Sequence, residues 1–322
     1  MQQLLQQPAA DSSQPAAAAA AASKSRQRVG GESVRQSQRA SVRQSEASYH
    51  FRDIALRKFN NFTQIILSPS TTKMKNALNS RVLRELCEAL NILKRDESVR
   101  IVLLTGTGST FCQGVDLTAL QHPNLETRKK NAENLVRGIK DFLKALVQFS
   151  KPIIAGVNGN AMGLGVTMLP LFDMVIANDK AEFCLPYAKL GQVPEGGATY
   201  TFPNLCGKLQ STQLFLGHKL TARRAQEMGL VSESIWPATY QQELIPKVAL
   251  LATQSAQSME ATKALMNHHL VTKLELSQSG VVLLLQQWTP HTLLTCVSDS
   301  LTHSTSTFRS LSAFPFRGPP SS

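Results

Sequence analysis

From Tyr49 onward, short apolar runs alternate with longer stretches in which apolar residues recur every three or four positions. Short runs of this kind are typical of buried strands, and the longer stretches are typical of helices with one buried face. The predicted strands are FTQIIL (62–67), VRIVLLTG (99–106), KPIIAGVNG (151–159) and DMVIAN (173–178). The alternation predicts an α/β domain whose strands are mainly parallel.

Three helices can be placed from their caps and periodicity. The first begins after a cap at Asn79 or Ser80 and aligns five apolar residues on one face. These residues are Val82, Leu83, Leu86, Leu90 and Leu93. A second helical pattern extends from about Leu125 to Phe149. A third lies between an N-cap at Thr221 and a stop at Gly229.

Composition divides the chain into three parts. Residues 1–48 contain no aromatic residue and are dominated by Gln, Ser and Ala, so we expect a disordered low-complexity arm. A transit peptide is the alternative interpretation of this arm, because the arm is rich in Arg and Ser and poor in acids. The folded domain is expected in residues 49–290, and a loose proline-containing tail in residues 291–322.

Charge and cysteine usage exclude several classes of site. The 322-residue chain carries a formal net charge of +12, spread along its length, and its basic arm lacks interleaved aromatic residues. Such an arm would attract nucleic acid only unspecifically, so no specific nucleic-acid partner is expected. The five cysteines form no CxxC pair and no HExxH occurs, which argues against a disulfide framework and a metal site. No apolar run approaches the roughly 20 residues that span a membrane.

Two glycine-bearing loops, each following a predicted buried strand, are the strongest indication of chemistry. They are STFCQGVDL (109–117) and NGNAMGLGVTMLPLFD (158–173). The second does not complete a dinucleotide fingerprint, because Met168 stands where GxGxxG needs its last glycine. Glycine lets the backbone approach a ligand closely, and the start of a helix offers free N–H groups. The two loops therefore predict a pair of N–H donors for an oxyanion.

Several motifs together resemble the crotonase (enoyl-CoA hydratase/isomerase) superfamily. The segments FCQGVD, KPIIAGVNGNAMGLG, LPYAKLGQVPEGGATYTFP and LTARRAQEMGLV occur in that family's order and spacing, from about Tyr49 to Leu285. The stretch SVRQSEASYHFRDIALRKFNNFTQIILS is similar to the start of the crotonase-like domain of chromodomain Y-like proteins. Peroxisomal enoyl-CoA delta isomerases share the later motifs. The resemblance implies a crotonase (ClpP-like) spiral of ββα units with a C-terminal helical region.

The resemblance also implies a binding site. Its oxyanion donors would be the backbone N–H groups of Val115 and Leu164. The loops around the substrate would include Cys112, Gly114, Gly163 and Gly165. Cys112 is expected to be a small loop residue and not a nucleophile. Asp116 is expected to cap or orient the first loop, and Asp173 to close a junction between helix and strand.

One carboxylate matches the position of a catalytic residue of the family. The two glutamates of the hydratases are replaced by Thr167 and Tyr187, whose hydroxyls are too weak to act as bases near neutral pH. Glu195, on a Pro-Glu-Gly-Gly turn, matches the glutamate that the isomerases use to move a proton from C2 to C4. A solvated turn carboxylate is the alternative interpretation of Glu195.

Two functions follow from the resemblance. The first is an acyl-CoA-binding enzyme that isomerises or hydrates short-chain enoyl-CoA thioesters, with no cofactor beyond the CoA thioester itself. The second is a non-catalytic, CoA-responsive corepressor scaffold that acts with histone deacetylase complexes in the nucleus. A mitochondrial or peroxisomal enoyl-CoA delta isomerase is the alternative to a nuclear protein. Residues 258–288, with apolar residues such as Ala264, Leu265, Leu270 and Leu274 and the run 281–285, are expected to support a homotrimer.

Overall fold

The structure, a computed structural model, describes residues 45–46, 50–69, 75–268 and 273. The expected tail in residues 291–322 lies outside these residues, and so does the expected arm apart from Ser45–Glu46. The boundaries of the three predicted parts therefore stay predictions.

Strands and helices alternate along the described chain. The strands are β1 (Ser45–Glu46), β2 (Ile54–Lys58), β3 (Phe62–Leu67), β4 (Ile101–Gly106), β5 (Thr110–Cys112), β6 (Ile153–Val157), β7 (Asn160–Met162), β8 (Met174–Asn178), β9 (Glu182–Cys184), β10 (Leu220–Thr221) and β11 (Glu233–Ile235). The helices are α1 (Ser80–Arg95), α2 (Leu125–Val147), α3 (Leu164–Thr167), α4 (Ala198–Cys206), α5 (Lys208–Phe215), α6 (Ala222–Glu227), α7 (Tyr240–Leu251) and α8 (Ala256–Asn267). All four predicted strands and all three predicted helices are confirmed.

The strands of the described chain form two sheets. The larger has the order β1-β2-β3-β4-β6-β8-β11, and the smaller has the order β10-β9-β7-β5. From β3 to β11 the larger sheet is parallel, while β1, β2 and β3 pair antiparallel. The strand pairs β4/β5, β6/β7 and β8/β9 each place one strand in each sheet. This repetition is the spiral of ββα units that the resemblance implies.

The central strands of the larger sheet, β3, β4, β6 and β8, are buried on both faces, which explains why they are mostly apolar. Alternate residues of β4 belong to different clusters: Val102 and Leu104 face the cluster under α1 and α2, whereas Ile101 and Leu103 face the cluster under α7. The rings of Phe59 and Phe62 stack in the second cluster, 4.4 Å apart. The smaller sheet lies at the ends of these strands, where the glycine-bearing loops begin.

The helix caps follow the sequence expectations. The Asn79 side chain accepts hydrogen bonds from the N–H groups of Arg81 and Val82, both at 2.9 Å. The Thr221 hydroxyl accepts from the N–H of Arg224 at 3.3 Å. Gly229 adopts the left-handed conformation (φ +80°) that ends a helix. The predicted starts of α1 and α6 and the predicted end of α6 are therefore confirmed.

A buried lysine attaches α8 to the domain. Lys263 Nζ donates to Asp173 Oδ2 at 2.6 Å and to the carbonyl oxygen of Lys151 at 2.9 Å. Asp173 Oδ2 also accepts from the N–H of Ile153 at 2.7 Å, so the structural role expected for Asp173 is confirmed. On the outer side of α8, the Leu265 side chain is exposed. Leu270, Leu274 and residues 281–285 of the expected interface lie outside the described residues.

Candidate active site

The two glycine-bearing loops lie side by side because the strands before them, β5 and β7, are parallel neighbours. A Cβ placed on Gly114 would lie 2.8 Å from the carbonyl oxygen of Met162 and 3.4 Å from the amide nitrogen of Leu164. Gly163 has φ +51°, and a Cβ placed on it would lie 3.9 Å from the Cα of Gly114. The structure thus brings together the two residues, Val115 and Leu164, that the sequence named as oxyanion donors.

The backbone pairing around the two loops uses neither of these N–H groups. Val115 forms a β-bridge with Leu78 in which Leu78 N–H donates to the carbonyl of Gly114 at 2.8 Å and Asp116 N–H donates to the carbonyl of Leu78 at 3.0 Å. The N–H of Val115 takes no part in that bridge. Leu164 is the first residue of α3, and the first N–H groups of a helix have no partner within the helix. Among the described residues, neither N–H donates to a backbone carbonyl.

Two buried asparagines hold the first loop, and the sequence did not single out either of them. Asn158 Oδ1 accepts from the N–H of Gly106 at 2.9 Å, and its amide donates to the carbonyl of Gly108 at 2.7 Å. Asn76, at φ +54°, donates to the carbonyls of Thr107 and Thr110. The turn between β4 and β5 is thereby fixed in front of the site. The only sequence signal was the Asn158-Gly159 pair, which is common in turns.

Cys112 packs inside the site and has no exposed surface. Its Sγ accepts from the N–H of Gly114 at 3.4 Å, and a Cβ on Gly165 would lie 2.8 Å from the Cys112 Cβ. Burial raises the pKa of the Cys112 thiol to about 12, so the thiol is neutral and unsuited to nucleophilic attack. Because a Cβ on Gly165 would clash with Cys112, only glycine at this position lets α3 lie this close to β5.

Asp116 orients the end of the first loop, as predicted. Its Oδ1 accepts from the N–H of Thr118 at 3.0 Å and from the Thr118 hydroxyl at 2.7 Å. These bonds begin the short 3-10 turn at Thr118–Gln121. Asp116 therefore supports the loop.

Glu195 is directed inward by the turn that carries it. Gly196 and Gly197 are both left-handed, at φ +75° and +69°, just before α4 begins. A Cβ on Gly196 would lie 2.7 Å from the Thr167 hydroxyl, so only glycine lets the turn lie this close to α3. The Glu195 side chain is 4% exposed. The alternative interpretation, a solvated turn carboxylate, is wrong because the glycines fold the turn against the domain.

The Glu195 carboxyl has the acidity of a group that can exchange protons near neutral pH. Burial raises its pKa to about 7, and the Tyr187 hydroxyl and the N–H groups of Glu195 and Leu164 oppose that rise. Its Oε1 would lie 4.0 Å from a Cβ on Gly163, so the carboxylate faces the junction of the two loops. One carboxyl group and the two N–H donors therefore lie at one place, and the Leu164 N–H contacts the carboxylate.

The two residues that replace the hydratase glutamates also lie at this place. Thr167 and Tyr187 are buried, and both hydroxyls interact with the polar cluster around Glu195. Neither hydroxyl makes a hydrogen bond of ordinary geometry within the described chain. The cluster thus contains one carboxylate and two neutral hydroxyls.

Within residues 45–46, 50–69, 75–268 and 273, no group of His, Cys, Asp or Glu side chains is arranged to hold a metal ion. In that part of the chain, no helix has the length and apolar character needed to cross a membrane.

A family model matches residues 62–292, which include both loops, Thr167, Tyr187 and Glu195. Its description is enoyl-CoA hydratase/isomerase. The chain belongs to this family.

Relatives of known name include both groups that the sequence resembles. Mouse chromodomain Y-like protein 2 is 42% identical over 252 residues, which are 78% of this chain and 50% of that protein. Human chromodomain Y-like protein is 41% identical over 75% of this chain and 40% of its own length. Human enoyl-CoA delta isomerase 2 is 37% identical over 59% of this chain and 48% of its own length. The chain spans half or less of each of these relatives.

Solved structures show the same fold. An enoyl-CoA hydratase/isomerase from Pseudoalteromonas atlantica superposes with a TM-score of 0.68 and 25% identity, over 80% of this chain and all of that chain. An enoyl-CoA hydratase from Bacillus halodurans gives a TM-score of 0.70 at 21% identity, over 77% of this chain and 99% of its own. The crotonase fold predicted from the motifs is confirmed.

Proposed function

We propose that this protein binds short-chain acyl-CoA thioesters and uses Glu195 to isomerise 3-enoyl-CoA to 2-enoyl-CoA. The supporting observation is the position of Glu195, a buried carboxylate that faces two loops whose Val115 and Leu164 N–H groups donate to no backbone carbonyl of the described chain. Coenzyme A enters as part of the substrate, and no other cofactor is required. No metal takes part in the proposed step.

The isomerisation needs only one carboxylate, because the same group removes the proton from C2 and returns it at C4. The Val115 and Leu164 N–H groups hold the thioester oxygen, and ionised Glu195 removes a proton from C2. The C2–H electrons move into a dienolate, whose charge the two N–H groups stabilise; one such donor contributes about 3–4 kcal/mol. Protonated Glu195 then returns the proton to C4 while the thioester carbonyl re-forms. A pKa of about 7 suits both halves of this transfer.

Hydration of crotonyl-CoA is the weaker enzymatic candidate. Water addition by two carboxylates needs a second acid or base, and Thr167 and Tyr187 cannot supply one. Burial raises the Tyr187 pKa well above its usual value, which makes this hydroxyl a still weaker acid. We therefore expect isomerisation to exceed hydration.

Calorimetry and two assays test the enzymatic proposal. Acetyl-CoA should bind in a titration, and 3-hexenoyl-CoA should be converted faster than crotonyl-CoA is hydrated. Glu195→Gln should abolish isomerisation and retain acetyl-CoA binding, whereas Glu243→Gln, which changes an exposed glutamate on α7, should behave as wild type. Absence of acetyl-CoA binding at millimolar ligand would overturn the proposal, and so would unchanged isomerisation in Glu195→Gln.

A nuclear corepressor scaffold is the second candidate. Two observations favour it: the identity of about 41% to chromodomain Y-like proteins, and the replacement of both hydratase glutamates at Thr167 and Tyr187. The protein would then occupy the nucleus, bind acyl-CoA without turnover and associate with histone deacetylase complexes. Tagged protein in mitochondria or peroxisomes, with no deacetylase co-purifying, would contradict this candidate and favour the organellar isomerase.

We further propose that the domain forms a homotrimer through its C-terminal helices. Leu265 and Met266 on α8 are 80% and 73% exposed, as expected of residues that a second copy covers. Truncation after Gln257 removes most of α8 and should abolish both trimerisation and acyl-CoA binding. Light scattering tests this directly, and a full-length monomer that binds acyl-CoA would contradict it.

A further inference from the structure

Two buried hydroxyls beside Glu195 have no ordinary hydrogen-bond partner in the described chain. Tyr187 is 3% exposed, and Thr167 is fully buried. Leaving a hydroxyl unpaired in the interior costs about 1–3 kcal/mol, so each orphaned hydroxyl needs a physical explanation. The proton-transfer steps described above use neither of them.

The geometry gives the Tyr187 hydroxyl one suitable acceptor. A Cβ on Gly163 would lie 3.7 Å from the Tyr187 hydroxyl oxygen and 4.0 Å from Glu195 Oε1, so both groups lie against the same glycine. Thr167 also interacts with the Tyr187 hydroxyl. Tyr187 therefore contacts both Thr167 and Glu195. Hydrogen bonds in ligand-free sites are often long, and they tighten when the ligand binds.

Leu164 gives this arrangement a consequence for catalysis. In the free protein the Leu164 N–H interacts with the Glu195 carboxylate. Leu164 is also one of the two donors proposed for the thioester oxygen, so a bound substrate would withdraw this N–H from Glu195. The Tyr187 hydroxyl is the side-chain donor that remains for the carboxylate after this exchange.

We propose that Tyr187 is a positioning residue for Glu195, whose hydroxyl, supported by Thr167, holds one carboxylate oxygen and leaves the other free to exchange the substrate proton. This inference rests on the proposed isomerisation. It assigns a role to the residue that stands in place of a hydratase glutamate. A neutral donor at that position keeps a single base in the site, which suits proton transfer between two carbons and not water addition.

The groups that act on Glu195 make its titration a clean test. The titratable side chains facing it are Tyr187, after β9, and Cys112, at the end of β5. Burial raises the pKa of both groups, so both stay neutral across the range in which Glu195 titrates. A change in the Glu195 titration therefore reports the loss of a donor and not the titration of a neighbour.

Carbon NMR of protein labelled at the glutamate carboxyls measures this titration without any turnover. The signal missing in Glu195→Gln identifies the group. Removing a donor to a charged group should raise the Glu195 midpoint in Tyr187→Phe by about one pH unit. Thr167→Val should raise it by less. Tyr240→Phe is the matched control, because Tyr240 donates to the carbonyl of Ile176 at 3.1 Å in the other core cluster.

An unchanged midpoint in both Tyr187→Phe and Thr167→Val would overturn the proposal, and so would an equal change in Tyr240→Phe. In the isomerase assay, the loss of kcat/KM in Tyr187→Phe should be about tenfold greater at pH 6 than at pH 9, because Glu195 of the variant is less ionised than that of wild type at pH 6. Wild type without isomerase activity would refute the proposed function, while the NMR titration would still decide the role of Tyr187. An active enzyme whose pH profile is the same in Tyr187→Phe would refute the positioning role alone.

Discussion

Gly114→Ala tests whether the two loops form one oxyanion site. The new Cβ would lie 2.8 Å from the carbonyl oxygen of Met162, which is too close for a real contact, and 3.4 Å from the amide nitrogen of Leu164. The second loop must then move by a few tenths of an ångström, which takes the Leu164 N–H out of line with the thioester oxygen. Loss of one such donor lowers kcat by about 10²–10³. We expect a fall of about a hundredfold.

Gly108→Ala is the matched control for backbone strain. Gly108 has φ +70°, close to the +79° of Gly114, but a Cβ there meets no atom within 4 Å. Both variants should lose about 1–2 kcal/mol of stability from left-handed alanine. Urea unfolding measures that shared cost, and the 3-hexenoyl-CoA assay at saturating substrate measures kcat. Equal kcat in the two variants would refute the claim that the loops act together.

Three further predictions concern stability. Burial raises the Glu195 pKa from 4.5 to about 7, so the folded protein keeps this proton to a higher pH than the unfolded chain does. The contribution of Glu195 to the free energy of unfolding should therefore fall by about 3 kcal/mol as pH rises from 4.5 to 7. Urea unfolding of Glu195→Gln should lack that component; identical pH dependence would contradict it. Lys263→Met should lower the free energy of unfolding by about 2–3 kcal/mol, because it leaves Asp173 without its cation. Adding Asp173→Asn should recover part of this loss in the same measurement. Purely additive losses would show that the two residues are not coupled. Asn158→Ala should cost about 2–4 kcal/mol in thermal unfolding, because backbone groups such as the Gly106 N–H lose their partner; a cost below about 1 kcal/mol would be contrary to this account.

Much of the larger sheet could be predicted because its central strands are buried on both faces. Such a strand needs a mostly apolar run, as in the first four residues of β4, and this pattern is visible in one sequence. The strands of the smaller sheet are different. β5, β7 and β9 are three residues long, too short for any periodicity to show. Their existence depends on pairing between distant segments, which a single sequence does not display.

Only the site residues that lie in family motifs could be predicted from the sequence. The family resemblance named Glu195, Val115 and Leu164, and the structure brings all three to one place. The left-handed Asn76 and the contact between Tyr187 and Glu195 were not foreseen. The hydrogen bonds of Asn76 join residues far apart in the chain, and the contact between Tyr187 and Glu195 depends on how the turn between them folds. Composition gives no signal for either. Burial of the turn carboxylate likewise depends on how closely glycines let the turn approach α3.

The central claim is that one carboxylate, Glu195, moves a proton between C2 and C4. The most direct measurement uses 3-hexenoyl-CoA carrying deuterium at C2 and analyses the 2-hexenoyl-CoA product by mass spectrometry and NMR. Because the carboxyl is buried, we expect part of the deuterium to reappear at C4 in wild type, and no product in Glu195→Gln. Product formed by Glu195→Gln at the wild-type rate, or no conversion by wild type, would contradict the account.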